Sequence, residues 1–279
     1  MNLHKTTLET KLDHKTLHFI PFLPTRKRTK KFNLKGKWGD VDFTIKAPET
    51  VNTYDLITLM FVTKAYLKKN WYAGFIGEDE EKREIAGLEL DLIQVCKERG
   101  ILNKKINRET ILNSLLRLSH IDLFFKTNNK ETMTKYIYEI RYDLDYKKAK
   151  IYANKKFIEF ISDKGILLNL SNFVKLEQIK REGKEYAILL YTFLNGTKTK
   201  TNFKGKNILK WREKYDEELL FNSTKLNETK LPLKRKREEL KKAFKILNED
   251  LNMPIYDFNR NEKMWIRTDL IEKRNSKIK

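Results

Sequence analysis

The chain has 279 residues and carries 59 Lys and Arg against 38 Asp and Glu, a net charge of +21 with an isoelectric point near 9.7. A field of that sign selects an anionic polymer as partner, and with no apolar run near the roughly 20 residues that cross a bilayer it favours nucleic acid over a membrane. One cysteine, Cys96, excludes a disulfide within the chain, and the first residues lack the apolar core of an export signal, so a cytoplasmic protein is expected.

Residues 1–50 read as a basic N-terminal arm. Its cluster Arg26-Lys27-Arg28-Thr29-Lys30-Lys31, followed by Lys35 and Lys37, either reaches into a groove or stays solvated. Trp38 through Ile45 has strand character. From Asn52 the pattern turns helical: Tyr54, Ile57, Met60, Phe61, Ala65 and Tyr66 recur behind Asn52 or Thr53 as N-cap. A second helix is predicted from Glu84 to Glu98 through Ile85, Leu88, Leu92 and Val95, with Cys96 buried and Gly100 just past its end. A third starts at Asn107 as N-cap, buries Ile111, Leu112, Leu115, Leu116 and Leu118, and presents Arg108, Asn113 and Arg117 outward as candidate DNA contacts. Two strands follow, Ile121 to Phe125 and Tyr136 to Leu144, around a polar tip. In the second, Tyr136, Tyr138, Ile140, Tyr142 and Leu144 fall on one face. Lys150 to Tyr152 adds a third strand. These elements define a first domain over 51–162.

The order repeats over 163–272. Tyr186, Leu189, Leu190, Phe193 and Leu194 form a helical stripe stopped by Gly196, and Ile208, Trp211, Tyr215 and Leu219 form another. After a linker from Phe221 to Leu231 comes a helix over 234–251. At about 100° per residue Leu233, Leu240, Phe244, Leu247 and Leu251 share its inner side, while Arg235, Lys242 and Lys245 point away. Ile255 to Phe258, the turn Asn259-Arg260-Asn261 and Lys263 to Arg267 form a closing hairpin, and 273–279 is a tail. The predicted class is α+β: two tandem winged-helix domains behind a basic arm.

On the last helix Arg235 and Arg237 suit bidentate contact with guanine, while Lys234, Lys241, Lys242 and Lys245 suit phosphates. Lys236, Arg260 and Lys263 complete the candidate surface, beside Arg26, Lys27 and Arg28 of the arm. This reading requires the basic face to be open to solvent and not neutralised by the protein's own carboxylates.

Catalytic chemistry finds little support. His4, His14, His18 and His120 never occur as His-x-His, which a metal-dependent nickase needs, and His14 and His18 lack a neighbouring carboxylate or cysteine. No Gly-x-x-x-x-Gly-Lys-Ser/Thr cradle is present. Asp143 and Asp145 fit a strand-to-turn exit better than a Mg²⁺ site. No cofactor, metal or enzymatic activity is expected.

The segment Phe173-Val174-Lys175-Leu176-Glu177-Gln178-Ile179-Lys180, followed by Glu185-Tyr186-Ala187-Ile188-Leu189-Leu190-Tyr191-Thr192-Phe193-Leu194, resembles the theta-type plasmid replication initiator (Rep) family. Those proteins bind repeated origin sequences called iterons. The similarity covers roughly residues 52–267, through a pattern of helix-core residues instead of a chemical signature. The resemblance implies that helix 234–245 and the Arg260/Lys263 hairpin supply most sequence-specific contact, and that the first domain dimerises or touches DNA. It implies double-stranded origin repeats as partner, opening of an AT-rich region, and recruitment of host replication initiator and helicase proteins. In that family a dimer represses its own promoter while monomers start replication. The long linker and extended arm depart from the family's compact pattern. The same residues also suit a winged-helix transcriptional regulator on an inverted repeat, or an interaction scaffold whose basic character is compositional.

Overall fold

The computed structural model describes residues 9–12, 22–24, 30–38, 41–68, 71–78, 82–127, 130–164, 166–203 and 206–269. Arg26, Lys27 and Arg28 lie outside the described residues. The protein mixes helices and antiparallel sheets, an α+β fold, in two compact units: residues 1–13 with 25–174, and residues 14–24 with 175–279.

The first unit runs β1 (Glu9–Leu12), β2 (Lys30–Trp38), β3 (Val41–Glu49), α1 (Thr53–Leu67), β4 (Tyr72–Ile76), β5 (Arg83–Asp91), α2 (Leu92–Glu98), α3 (Lys105–Ser119), β6 (Asp122–Thr127), β7 (Lys130–Lys135), β8 (Ile137–Tyr142), β9 (Lys148–Asn154), α4 (Lys155–Lys164) and β10 (Ile166–Asn169). Helix α5 (Leu170–Gln178) leads onward. Two four-stranded sheets form, β2-β3-β6-β7 and β4-β5-β9-β8, with β1 paired to β10.

Helix α1 begins as its sequence dictates. Asn52 Oδ1 accepts from the Tyr54 and Asp55 amides, and Asp55 accepts back from the Asn52 amide at 2.9 Å, a reciprocal cap. The helix is buried almost all round, and Tyr66 donates from inside the core to the Ala86 and Ile151 carbonyls. Burial pushes that phenol well above the usual tyrosine range.

Several sequence expectations are corrected. The predicted helix over 84–98 is strand β5 followed by the short helix α2. Ala86, Leu88 and Leu90 alternate into the core, and Asp91 then caps α2 through the Ile93 and Gln94 amides. A short apolar run satisfies both periods, so spacing alone did not separate them. Gly100, at φ 65°, does follow the helix C-cap. The polar stretch expected as a loop tip belongs to the β6–β7 hairpin, and residues 30–49, expected within an arm, pair through β3 to β6, as in Ile45 with Leu123. Helix α3 starts at Lys105 without a side-chain cap, and Asn107 donates its side-chain amide to the Leu102 carbonyl. A bulge between Ile137 and Glu139 shifts the predicted face of β8, and Leu144, in the turn beyond the end of the strand, is 86% exposed.

Arg117, expected at the surface, is 5% exposed and paired to Asp55, which is 0% exposed, at 2.7 Å. Ser114 donates to the same carboxylate at 2.6 Å. The arginine therefore joins α3 to α1 and is removed from any partner's reach. Arg99 is likewise buried, its guanidinium 3.9 Å from the Tyr54 ring and hydrogen-bonded to Thr58.

The second unit continues with α6 (Lys184–Gly196), β11 (Thr199–Phe203), β12 (Lys206–Lys210), β13 (Lys214–Asp216), α7 (Glu217–Ser223), α8 (Leu233–Leu251), β14 (Tyr256–Asn259) and β15 (Met264–Arg267). The helix predicted through Ile208 and Trp211 is instead β12, β13 and α7, since Asp216 caps α7 at the Glu218 amide. Much of the predicted linker is folded: α7 takes its start, and a buried turn at Thr224, Lys225 and Leu226 leads into a 3-10 turn over Leu226–Glu228. Strands β13, β15 and β14 form one sheet, with the first strand beside the last, the order that β5, β9 and β8 take in the first unit.

Replacing Asp55 with Ala should strand the Arg117 cation in the core at a cost of about 3–5 kcal/mol. Urea unfolding of the full chain would register it, and a change below about 1 kcal/mol would mean that the pair does not hold α1 to α3.

Candidate nucleic-acid interface

Helix α8 is amphipathic in the way the sequence requires. Leu240, Ala243, Phe244, Ile246 and Leu247 are buried, whereas Lys234, Arg235, Lys241 and Lys245 are exposed and Lys236 and Lys242 half-exposed. The predicted inner position Leu233 is 51% exposed, because it sits in the first turn, ahead of the buried stripe. Under α8 an aromatic chain runs through the unit: Phe193 to Tyr215 at 5.8 Å, Tyr215 to Tyr256 at 5.4 Å, Tyr256 to Phe244 at 5.1 Å, and Phe244 to Trp265 at 5.5 Å. Trp265 in turn meets Phe258 at 5.9 Å. Tyr256 donates to the Arg212 carbonyl at 2.6 Å, and burial pushes its hydroxyl far above the usual range. Offset and tilted ring pairs of this kind add about 0.5–1.5 kcal/mol each beyond their buried area.

At the solvent end of this chain stands Arg237. Its guanidinium lies 3.9 Å from the Phe258 ring and donates twice to Glu217, Nε to Oε1 at 2.7 Å and Nη2 to Oε2 at 2.9 Å. A planar fork matched to one carboxylate and stacked on one ring is committed to the protein. The sequence assignment of Arg237 to guanine is thereby corrected: it ties α7, α8 and β14 together. Neither Glu217 nor Phe258 stood out in the sequence, since the partnership spans 20 residues in one direction and 21 in the other.

The remaining basic residues are open to solvent, yet most are paired. Arg235 holds Glu238 at 3.0 Å, Lys241 holds Asp257 at 3.4 Å, and Lys245 holds Glu249 at 3.7 Å. Lys242 donates to Glu239 at 2.8 Å and Glu182 at 3.3 Å, bonds that keep its ammonium charged above the usual lysine range. The condition that this face escape the protein's own carboxylates is met only in part. Such exposed pairs contribute about 0–1 kcal/mol and are screened by salt, so an incoming phosphate can replace the carboxylate. Lys234, Lys236, Arg260 and Lys263 hold no carboxylate among the described residues.

Those four belong to two segments that the Arg237–Phe258 contact ties together. Arg237 brings the first turn of α8 against Phe258, one residue before the Asn259 turn of the β14–β15 hairpin. Arg260 and Lys263 stand exposed at that turn, which Asn259 Oδ1 organises by accepting from the Asn261 and Glu262 amides. The first turn of α8 has no side-chain cap at Pro232 and no acidic residue. Its free N–H groups and positive dipole end stand beside Lys234 and Lys236, which hold no carboxylate among the described residues, an arrangement unfavourable by some tenths of a kcal/mol per charge until an anion arrives. On this surface the cations without a carboxylate therefore fall at the helix start and the hairpin turn.

In the first unit Arg108 is half-buried, donating to Asn103 at 2.6 Å and to the Asp145 carbonyl at 3.3 Å, which fastens the start of α3 to the β8–β9 turn. Asp143 accepts from the Lys147 amide at 2.7 Å in that turn. Among the described residues no cluster of His, Cys, Asp or Glu suits a metal ion, and Cys96 is buried, its thiol pushed up by desolvation. No described helix is long and apolar enough to cross a membrane.

No protein-family model matches the chain, and no curated protein matches it in sequence. Its fold is similar to that of domains 2 and 3 of RctB. One crystal structure of those domains aligns with a TM-score of 0.54 at 12% identity over 85% of this chain and 84% of that one. A second aligns with a TM-score of 0.52 at 12% identity over 93% and 99%. The Pi initiator protein in complex with iteron DNA is also similar, with a TM-score of 0.46 at 12% identity over 66% of this chain and 82% of that chain. The chain has the fold of the two RctB domains.

Removing the guanidinium in Arg237→Ala should lower stability by about 1–2 kcal/mol, the worth of charge-assisted bonds at a partly buried site. Arg235→Ala should stay within about 0.5 kcal/mol of the parent, as exposed surface changes do. Thermal unfolding of the two variants side by side distinguishes the strut from the surface residue.

Proposed function

We propose that this protein is a non-enzymatic replication initiator that binds repeated origin DNA, with α8 seated in a duplex groove and the β14–β15 hairpin resting on the adjoining backbone. The observation that carries this reading is the unpaired cationic corner made by the uncapped start of α8 and the hairpin tip. A duplex presents a dense array of phosphates to such cations, and a helix N-terminus receives phosphate favourably.

The order of elements supports two winged-helix units in tandem. In the second unit α6, β13, α7, α8, β14 and β15 come in that order, with β13 beside β15 and the β11–β12 hairpin inserted after α6. In the first, α1, β5, α2, α3, β8 and β9 follow in the same order, with β5 beside β9 and the β6–β7 hairpin inserted. The likeness of fold to the RctB domains and the resemblance of residues 173–194 to Rep proteins point the same way. In this reading Lys234, Lys236, Lys241, Lys242, Lys245, Arg260 and Lys263 serve the backbone and Arg235 reads base edges, since Arg237 and Arg117 are spent internally. Origin opening, engagement of host initiator and helicase proteins, a cytoplasmic location and a dimer that represses its own promoter belong to the same proposal.

Neutralising about six phosphates gives a slope of log affinity against log salt near −5, at about −0.9 per phosphate. Lys234→Ala and Lys242→Ala should each flatten that slope by about one contact on specific and random duplex alike, while Arg235→Ala should relax sequence preference at one position. Electrophoretic mobility shifts on tandem direct repeats and on an inverted repeat decide the class. Preference for the inverted repeat would favour a transcriptional regulator, and sequence-indifferent weak binding at physiological salt would remove the proposal.

A further inference from the structure

Sheet β4-β5-β9-β8 of the first unit presents an aromatic platform that the duplex-binding reading does not use. Its outer face carries one cross-strand row, Tyr72 beside Gly87 and Gly87 beside Tyr152. The Tyr72 ring lies directly on Gly87: a Cβ at that position would fall 2.3 to 2.7 Å from three ring carbons. The absence of a side chain there lets the ring lie flat against the sheet backbone. On the same face the Arg141 guanidinium lies 5.2 Å from the Tyr152 ring. Tyr152 is thus covered, while Tyr72 remains 55% exposed with its outer surface in solvent.

Four cations, Arg83, Arg141, Lys148 and Lys150, stand around this platform with three carboxylates, and Arg83 and Lys150 hold no carboxylate among the described residues. Lys148 and Lys150 are exposed on β9, and Arg83 lies 5.5 Å from the Tyr138 ring at the other edge. The carboxylates on the same face are each engaged, Glu89 by Lys148 at 2.7 Å, Glu139 by Arg141 at 2.6 Å, and Asp91 by the amides of α2. A ring lying flat on the backbone with one free face, on a sheet face that also carries a guanidinium and two lysines, matches the requirements of an unpaired nucleotide. The base stacks on a π-face and its phosphates meet the cations. A duplex cannot use it, because paired bases keep their faces stacked on one another.

We propose that this face of the first unit binds single-stranded nucleic acid, with Tyr72 as the stacking residue, Gly87 as the residue that holds its ring flat, and Lys148 and Lys150 as backbone contacts. The inference stands on the first unit alone and does not require α8 to be correct, although a held single strand is what an opened origin would supply.

The test uses the full chain and fluorescence anisotropy with a labelled 20-nucleotide oligo-dT, with a random duplex as the second probe. Tyr72→Leu should weaken single-strand binding by about fivefold or more, as loss of one stacked base does, and Tyr72→Phe should restore it. Gly87→Ala should reproduce the loss without removing the ring, because the added methyl lifts it. Its neighbour there is the far end of an exposed side chain, so the sheet should survive, and a thermal melt verifies this. Duplex affinity should be unchanged in all three. Unchanged duplex binding in α8 variants, with oligo-dT binding still lost in Tyr72→Leu, would sink the earlier reading and spare this one. The platform is overturned if Tyr72→Leu binds oligo-dT as the parent does, if it loses duplex and single strand equally, or if it changes the oligomeric mass, which would make the face a contact between copies.

Discussion

The surface of the second unit depends on one guanidinium held between a carboxylate and a ring. Arg237 joins the start of α7 through Glu217 to the hairpin through Phe258, and behind Phe258 the aromatic chain runs to Trp265, Phe244, Tyr256, Tyr215 and Phe193. With the inner stripe of α8 fixed on this stack, the helix has one rotation available, and Lys234, Arg235, Lys241 and Lys245 face outward as a consequence. The hairpin tip is fixed relative to the helix start by the same contact. A cationic corner results from packing that is itself almost wholly aromatic.

The first unit uses arginine differently. Arg117 and Arg99 are inside, one against Asp55 and the other over Tyr54, and Arg108 fastens a turn. A buried ion pair gains little over an apolar pair of the same shape, but losing one partner is expensive, so such residues fix how helices register more than they add stability. The net charge of +21 is therefore not a map of the binding surface. Part of it is structural, part is paired on the surface of α8, and Lys234, Lys236, Arg260 and Lys263 hold no carboxylate among the described residues.

Composition and period made much of this fold legible. The buried stripe from Leu240 to Leu247, the Asn52 cap, the Gly100 stop and the hairpin over 256–267 follow from residues within a few positions of one another, and local chemistry is enough to specify them. Errors arose where one short apolar run satisfied two periods, as at Leu88 and Leu92 on either side of the β5–α2 junction. They arose again where a polar strand such as β7 carries no apolar alternation, because its partner in the sheet supplies the reason to be extended.

From the sequence by itself came a strongly basic α+β chain without catalytic motifs, a cationic amphipathic helix near its end, and a hairpin to follow it. Tertiary structure alone decided which cations are available. Arg235 and Arg237 are indistinguishable in the sequence, two residues apart on one basic run. One faces water and the other is clamped because Glu217 and Phe258 arrive from distant segments at the bond lengths a guanidinium needs. Likewise nothing around Tyr72 or Gly87 marks a platform until two strands set the ring over the glycine. Charge and period are properties of neighbours along the chain, whereas the availability of a charge or a ring depends on which remote groups the fold brings against it.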